Sequence, residues 1–255
     1  MRRIFIKAIS LFMILLFITG CQNKIENKNN SVITEGENMH GYKINDDSML
    51  YWLGHDGFKI KTNDKIIYID PFDINESETA DIVLITHAHF DHCSIKDLQK
   101  IVGDKTTILA TADCTSSFAG KIGGKMQLVA PNKKFNVQGI EIETVPAYNV
   151  NKFRSPGVVF HPKENEWVGY IINVSGTRVY HSGDTDFIPE MKNIKTDIAL
   201  LPVSGTYVMT PNEAAEACSA INPKVAIPMH YNKIVGTIES AEEFKRLSKC
   251  KVEII

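Results

Sequence analysis

This chain has few cysteines, no long apolar run and almost no net charge, and each shortage removes a class of protein. Five cysteines are spread over 255 residues, with no Cys-x-x-Cys pair among them. Cys93, Cys114, Cys218 and Cys250 are widely spaced, so no disulfide framework is expected even in an oxidising compartment. The formal net charge of -2 gives no reason to expect a nucleic-acid partner. The apolar stretch from Ile9 to Ile18 is shorter than the ~20 residues that a bilayer-spanning helix requires. No short-period repeat and no central linker divides the chain. What remains, 44% hydrophobic and 23% charged residues, is ordinary globular composition with material for a full core.

The amino terminus stands apart. Met1-Arg2-Arg3 and Lys7 form a positive region before the apolar stretch, and Ile18-Thr19-Gly20-Cys21 follows it. Residues 1–21 therefore read as a secretory signal rather than a spanning helix. Small residues before Cys21 resemble a bacterial lipobox, in which the cysteine is lipidated and becomes the new amino terminus; an uncleaved anchor or an ordinary signal peptide is the plainer alternative. In each case the mature domain is expected outside the cytoplasm, and with a lipidated Cys21 it is held at the extracytoplasmic face of the membrane. Residues 22–45 are rich in Asn, Lys, Glu and Ser and too polar to order themselves. They are expected to be a disordered tether to one folded domain, residues 46–255.

Within that domain, short apolar runs alternate with turn signals. Met49–Leu53, Phe58–Lys61 and Lys65–Ile69 read as strands, the last two joined by Asn63-Asp64. Ile82–Ile85 follows, then a helix from Ile95 with Ser94 as N-cap and Gly103 as its stop. Further strands are expected at Ile108–Ala110, Met126–Val129, Phe135–Val137 and Ile140–Val145. Gly169–Val174 and Thr177–His181 form a hairpin over Ser175-Gly176. Asp197–Val203 and Val225–Pro228 complete the strands. Helices are expected at Asp113–Ala119, at Pro211–Ile221 with Thr210 as N-cap and Glu213 at the third position, and at Glu239–Lys249. These elements come in two groups, each a run of strands followed by helices. The pattern defines an α/β domain, and two packed sheets with helices outside them, a four-layer α/β/β/α sandwich, accommodate it.

Chemistry concentrates at strand ends. Thr86-His87-Ala88-His89-Phe90-Asp91-His92 places three imidazoles and a carboxylate directly after the strand that ends at Ile85. Packing does not call for His-x-His-x-Asp-His, and His and Asp are ordinary ligands of zinc and similar divalent ions. Two other strands end on ligand types: Thr177–His181 runs into Ser182-Gly183-Asp184-Thr185-Asp186, and Val225–Pro228 runs into Met229-His230-Tyr231. A metal site assembled from distant segments has this form. Cys93 follows the cluster directly but is expected to be a small buried residue, because His87, His89, Asp91 and His92 already supply enough donors.

The order His87-x-His89-x-Asp91-His92, Gly183-Asp184-Thr185 and Pro228-Met229-His230 resembles the metallo-β-lactamase superfamily of metallohydrolases, from about Leu50 to the end of the chain. Gly54-His55-Asp56-Gly57-Phe58 and Met209–Ala215 resemble its branch of uncharacterised hydrolases similar to the lactonase-like ascorbate-phosphate enzymes. The resemblance implies the four-layer sandwich and one or two divalent metal ions, usually zinc, sometimes manganese or iron. It implies His87 and His89 at a first metal, Asp91, His92 and His230 at a second, and Asp184 between them. Asp91 is also the expected acceptor of a proton from the nucleophilic water. The family's third histidine for the first metal is missing: Asn149 stands in its place, with His161 as the substitute that can swing in. If Asn149 itself fills the place, a histidine restored there is expected to raise occupancy of the first metal position. His55 and Tyr148 are candidates for the substrate side; His55 can instead stand beside the second metal's ligands, or be a structural turn residue. His181 is expected to orient the site from its strand. Lys152, Arg154 and His161 share a loop that can meet an anionic substrate, although a solvated charged loop is the simpler reading.

The expected activity is hydrolysis of an ester, lactone, amide or phosphodiester bond in a small molecule by metal-activated water. The alternative is a metal- or ligand-binding lipoprotein of the same fold with little turnover. A redox di-iron centre is disfavoured, because that branch carries an acidic residue where this chain has His89. A zinc β-lactamase is disfavoured because those enzymes commonly carry cysteine at the position of Asp184.

Overall fold

Several strands in this chain carry apolar residues on both faces, and that sets the architecture. In Ile66–Ile69, Ile67 and Ile69 join one buried cluster while Tyr68 joins another. Ile82 and Leu84 divide from Val83 in the same way, as do Ile198 and Leu200 from Ala199 and Leu201. A sheet buried on both faces requires a layer on each side.

The computed structural model describes residues 25–26, 31–33, 40–75 and 78–255. Residues 1–21, read above as a signal, lie outside the described residues. The first sheet has nine strands in chain order: β1 (Ile25–Glu26), β2 (Ser31–Ile33), β3 (His40–Asn45), β4 (Ser48–Gly54), β5 (Gly57–Lys61), β6 (Ile66–Ile69), β7 (Ala80–Leu84), β8 (Val102–Thr111) and β9 (Lys125–Val129). Strands β1 to β6 are antiparallel neighbours, and β6 to β9 are parallel. Helices α1 (Ile95–Ile101) and α2 (Thr115–Phe118) connect the parallel strands. The chain continues through β10 (Lys134–Val137), β11 (Ile140–Pro146) and a separate small hairpin, β12 (Phe153–Ser155) and β13 (Val158–Val159). It then forms β14 (Val168–Val174), β15 (Thr177–His181), β16 (Ile198–Pro202), α3 (Pro211–Ile221), β17 (Val225–Met229) and α4 (Ile238–Leu247). The second sheet has the order β10-β11-β14-β15-β16-β17, antiparallel as far as β15 and parallel beyond it.

Each sheet is thus a meander that turns into parallel strands, and the two face each other. Phe58, Ile60, Ile82 and Leu84 of one meet Ile142, Ile172, Leu200 and Ile227 of the other in one buried cluster. Tyr170 spans the gap, its hydroxyl donating to the carbonyl of Ile85 at 2.8 Å. Leu98, Ile101 and Phe118 cover the outer face of the first sheet, and Ala214, Ala217, Cys218 and Phe244 that of the second. The result is the α/β/β/α sandwich. Truncating a residue such as Leu84, at the end of the strand that leads into the histidine cluster, to alanine costs about 2–5 kcal/mol.

Local signals behave as their chemistry requires. Ser94 caps α1, accepting from the Asp97 amide. Thr210 and Glu213 form a reciprocal capping box on α3, and Ser175-Gly176 turns β14 into β15 with both residues at positive φ. Four expectations need correction. The sheet begins before residue 46: β3 pairs with β4 inside the stretch read as a tether, and β2 pairs with β3, because an edge that offers free backbone groups recruits even a polar segment. Gly103 does not stop α1; the chain passes straight from Ile101 into β8, which contains it and is much longer than Ile108–Ala110. The stretch read as a helix over Asp113–Ala119 is a 3₁₀ turn, Ala112–Cys114, followed by the short α2. Finally, Cys218 and Cys250 form a disulfide. They lie 32 positions apart, but the packing of α4 against α3 brings their Cα atoms to 6.4 Å. Cys93 and Cys114 are free and buried, as expected for Cys93.

Candidate metal centre

The parallel strands of both sheets deliver their carboxyl ends to one place, where loops are free to present side chains. The loop after β7 brings His87, His89, Asp91 and His92. The loop after β15 brings Asp184, β17 ends at His230, and the turn between β4 and β5 brings His55 and Asp56. His161 comes from the segment between β13 and β14. Local backbone chemistry fits the close approach. Gly183 has φ +63°, and a Cβ there would lie 2.8 Å from the Val168 carbonyl oxygen. His55 and His230 both hold left-handed backbone, φ 53° and 58°, a conformation that costs non-glycine residues about 1–3 kcal/mol and persists where surrounding contacts enforce it. Here the His230 amide donates to the His55 carbonyl, which also accepts from Trp52 Nε1, while the Trp52 ring stacks on Tyr231.

The donors form two groups that share Asp184. His87, His89 and His161 converge on one side, where His161 Nε2 lies 3.1 Å from Asp184 Oδ2. On the other side are Asp56, Asp91, His92, His230 and His55. Asp184 lies 3.4 Å from His92 Nε2 through Oδ1 and 3.4 Å from His230 Nε2 through Oδ2. All the metal-site residues read from the sequence, His87, His89, Asp91, His92, Asp184 and His230, are gathered here.

The imidazoles are aimed by their far nitrogens. His92 Nδ1 donates to Asp70 Oδ2 at 2.8 Å. Thr86 Oγ1 also donates to Asp70 Oδ2, at 2.6 Å, so it accepts from His87 Nδ1 at 3.0 Å. Ser204 Oγ lies 3.0 Å from His230 Nδ1. In each case Nε2 is turned inward, and the Nε2 atoms of His87, His92 and His230 are buried without any hydrogen-bond partner. Buried polar groups are rarely left orphaned. Three of them around two carboxylates fit a bound cation, so the residues present suit one or two divalent ions.

Asn149 and His161 form one device. Asn149 Nδ2 donates to Asp186 Oδ1 at 3.1 Å and to the Tyr207 carbonyl at 3.0 Å, which turns its Oδ1 toward His161. That oxygen accepts from His161 Nδ1 at 2.8 Å and from the His161 amide at 2.9 Å. Asn149 therefore does not face the donors; it aims the histidine that does. Of the two substrate-side candidates, Tyr148 lies elsewhere and His55 takes its alternative place beside the second group's donors. Tyr148 packs in the outer cluster and donates its hydroxyl to Glu190 at 2.9 Å, away from the site. His55 is buried inside the metal cluster, its Nε2 3.0 Å from Asp91 Oδ2. His181 holds the loops, its Nε2 donating to the Asp56 carbonyl and its Nδ1 accepting from the Gly183 amide. Lys152 is committed to Glu213 at 2.7 Å and Asp186 at 3.4 Å rather than to solvent.

Charge is divided between the groups. Burial, with His92 nearby, holds His87 well below the usual imidazole range. Burial and His161 lower His89 as well. For His92 burial works against charge, but Asp184, Asp70 and Asp56 outweigh it and raise its pKa well above the ordinary value. Burial likewise opposes charge on His230, yet Asp56 and Asp184 raise it to about 9. Asp184 is held well below the carboxylate range: burial resists ionisation, and His230 and His92 overcome it. Burial also resists ionisation of Asp91, where the hydrogen bond with His55 prevails and lowers it. A dication held at the carboxylate-rich side by His92, His230 and Asp184 would take the place of the protons on those histidines.

A cavity of ≈220 Å³ opens beside the cluster, lined by His89, Phe90, Asp91, Phe160, His161, Asp184, Tyr207 and Ile234. Thr86, Asp70, Asn149, Ser204 and Asp56 were not read from the sequence in these roles. Asp70 at the end of β6 and Asp56 between two glycines beside His55 carried a positional signal. Ser204 carried none.

A two-sheet sandwich with a shared-carboxylate histidine cluster at its strand ends defines a class, the metallohydrolases. The family model described as the β-lactamase superfamily domain matches residues 49–230, and the chain belongs to that superfamily. It is 33% identical over 216 residues to a UPF0173 metal-dependent hydrolase of Caldivirga maquilingensis, covering 78% of this chain and 89% of that one. Among solved structures, a candidate metal-dependent hydrolase from Parabacteroides distasonis superposes with a TM-score of 0.70 at 29% identity, covering 92% of this chain and 97% of that chain. Igni18, a metallo hydrolase from Ignicoccus hospitalis, superposes with a TM-score of 0.63 at 25% identity, covering 82% and 94%. The chain is a metal-dependent hydrolase of the metallo-β-lactamase superfamily.

Proposed function

We propose that this enzyme hydrolyses a carbonyl ester, lactone or amide of an uncharged small molecule with an apolar portion, using two metal ions. The observation that carries this reading is the wall of the cavity. Phe90, Phe160, Tyr207 and Ile234 face the donors His89, Asp91, His161 and Asp184, and no lysine or arginine is among the described residues that line it. Recognition of a phosphate group ordinarily recruits Arg, Lys or backbone amides. Phe90, 68% exposed, and the more sheltered Phe160 and Tyr207, edge to face at 4.7 Å, suit an acyl chain or ring instead. Resemblance of Gly54–Phe58 and Met209–Ala215 to lactonase-like enzymes points the same way, although the phosphate part of that likeness has no counterpart in this cavity.

His87, His89 and His161 would hold one ion, Asp91, His92 and His230 the other, and Asp184 both. Bound there, such ions polarise a carbonyl oxygen and lower the pKa of water, with zinc the first candidate and manganese or iron the others. Asp91 lines the cavity, and with His55 on its Oδ2 it stays ionised and accepts the proton that the attacking water releases. Asn149, Thr86, Asp70 and Ser204 keep the imidazoles from turning away. Lipidation at Cys21 would keep the enzyme at the extracytoplasmic face of the membrane, a placement that the Cys218–Cys250 disulfide supports, since such bonds persist outside the reducing cytoplasm.

The test is a panel of chromogenic substrates given to metal-reconstituted protein: acyl esters of rising chain length, lactones, an anilide and a phosphodiester. Faster turnover of an apolar ester or lactone than of the phosphodiester is expected, with KM rising on Phe160→Ala. Preference for the phosphodiester overturns the substrate assignment, and no turnover of any of them with two metals bound favours the binding-protein alternative.

A further inference from the structure

Asp56 stands with the donors of the second group, but the two-metal assignment above gives it no ligand role. It is 0% exposed, and neither of its side-chain oxygens has a hydrogen-bond partner. Around Oδ2 are three imidazole nitrogens: His55 Nε2 at 3.4 Å, His92 Nε2 at 3.5 Å and His230 Nε2 at 3.7 Å. The last two are themselves buried without a partner. The loop cannot swing the carboxylate away. His181 Nε2 holds the Asp56 carbonyl at 2.9 Å, and the preceding carbonyl, of His55, is held by the His230 amide and the Trp52 indole. A buried carboxylate without donors is strongly unfavourable unless a positive charge compensates it. His55 does not satisfy it, because His55 Nε2 lies closer to Asp91, at 3.0 Å.

We propose that Asp56 is a further ligand of the second metal position, which gives that position a harder, more oxygen-rich donor set than the three-histidine position, one that accepts Mn2+ once Zn2+ fills the first. The inference rests on the two-metal reading above. The first position offers three imidazoles and one shared carboxylate, the donor set of four-coordinate zinc. The second offers His92 and His230 together with the carboxylates of Asp184 and Asp56, and Asp91 stands beside the same two imidazoles. That set is richer in oxygen and in negative charge, and it has the donor number for a larger coordination shell.

The test uses the full chain stripped with chelator and then given one equivalent of Zn2+ and an excess of Mn2+. Bound metals are counted by mass spectrometry, and free Mn2+ is followed by its electron paramagnetic resonance signal. Wild type is expected to take up one zinc and one manganese. Asp56→Asn, which keeps the shape and removes the charge, and Asp56→Ala are each expected to weaken Mn2+ binding at least tenfold while zinc binding is unchanged. The rise in Tm on adding Mn2+ is expected to shrink in Asp56→Asn. Two ions in wild type with Mn2+ affinity unchanged in both variants overturns the role of Asp56 and leaves the two-metal reading standing. Equal loss of both metals with a lowered metal-free Tm also overturns it, making Asp56 a residue that holds the fold. A second equivalent of Zn2+ bound where excess Mn2+ is refused overturns the hard donor set. Uptake of a single ion by wild type overturns the two-metal reading and this inference with it.

Discussion

Asn149→Ala separates a residue that aims a ligand from a residue that is one. The side chain makes four hydrogen bonds: to Asp186 Oδ1, to the Tyr207 carbonyl, and from the amide and Nδ1 of His161. Asn149 is 5% exposed, so water does not readily replace them. At about 0.5–1.5 kcal/mol net for each, their loss costs about 2–6 kcal/mol, a large part of the roughly 5–15 kcal/mol that holds a domain together. The metal effect is smaller than deletion of a donor. Removing the partner that orients a ligand histidine lowers affinity about 10–100-fold, whereas His161→Ala deletes the donor and should cost as much as His87→Ala. A histidine placed at 149 is expected to lower occupancy of the first position, the reverse of what the sequence position alone suggests, because it loses the carboxamide that turns His161. Urea unfolding of the metal-free protein measures the first quantity. Competition for Zn2+ against a chromophoric chelator measures the second. The reasoning is refuted if His161→Ala binds the first zinc as tightly as wild type, or if Asn149→Ala matches wild type in both stability and affinity.

Other perturbations have defined outcomes. Asp184 lies between both donor groups, so Asp184→Asn should remove most bound metal and lower turnover more than about 100-fold, as read by metal analysis and the same substrate panel; retention of both ions would falsify its shared role. Glu213 is held at about 2 against an ordinary 4.5: burial opposes ionisation, and the bonds from Lys152, the Thr210 amide and Asn151 overcome it. Its folded pKa is depressed, so its contribution is present above pH 4.5 and lost as pH falls toward about 2. Discounted for partial exposure, Glu213→Gln should cost about 1 kcal/mol at neutral pH, and denaturation curves taken from pH 7 to 2 should converge. Cys218→Ala should lower stability by about 3–4 kcal/mol for a loop of this length, and reduction of wild type should reproduce the loss without further effect on the variant. Cys21→Ala should release the protein from the membrane fraction or leave an unprocessed precursor, and unchanged mass and fractionation would argue against the anchor.

The chemistry of this protein was legible where it is local. His87, His89, Asp91 and His92 lie within one loop, and the strand-then-ligand pattern at Asp184 and His230 follows from the period of β structure and the need to end a buried strand. Strand runs, the capping box at Thr210 and Glu213, and the two-group order of strands and helices are short-range facts too, and they point to the sandwich. Tertiary structure decided what depends on distance between remote residues. Which of Asn149 and His161 faces the donors turned on Asp186 and Tyr207, whose hold on the Asn149 amide no spacing reveals. Tyr148 left the site because Glu190 captures its hydroxyl. Cys218 met Cys250 because two helices pack together, and Asp56, a residue of an ordinary-looking turn, became a buried carboxylate among imidazoles because the β4–β5 turn is pressed against the end of β17. A sequence pattern records what a residue can donate or accept, whereas its partners are set by packing that only the folded chain completes.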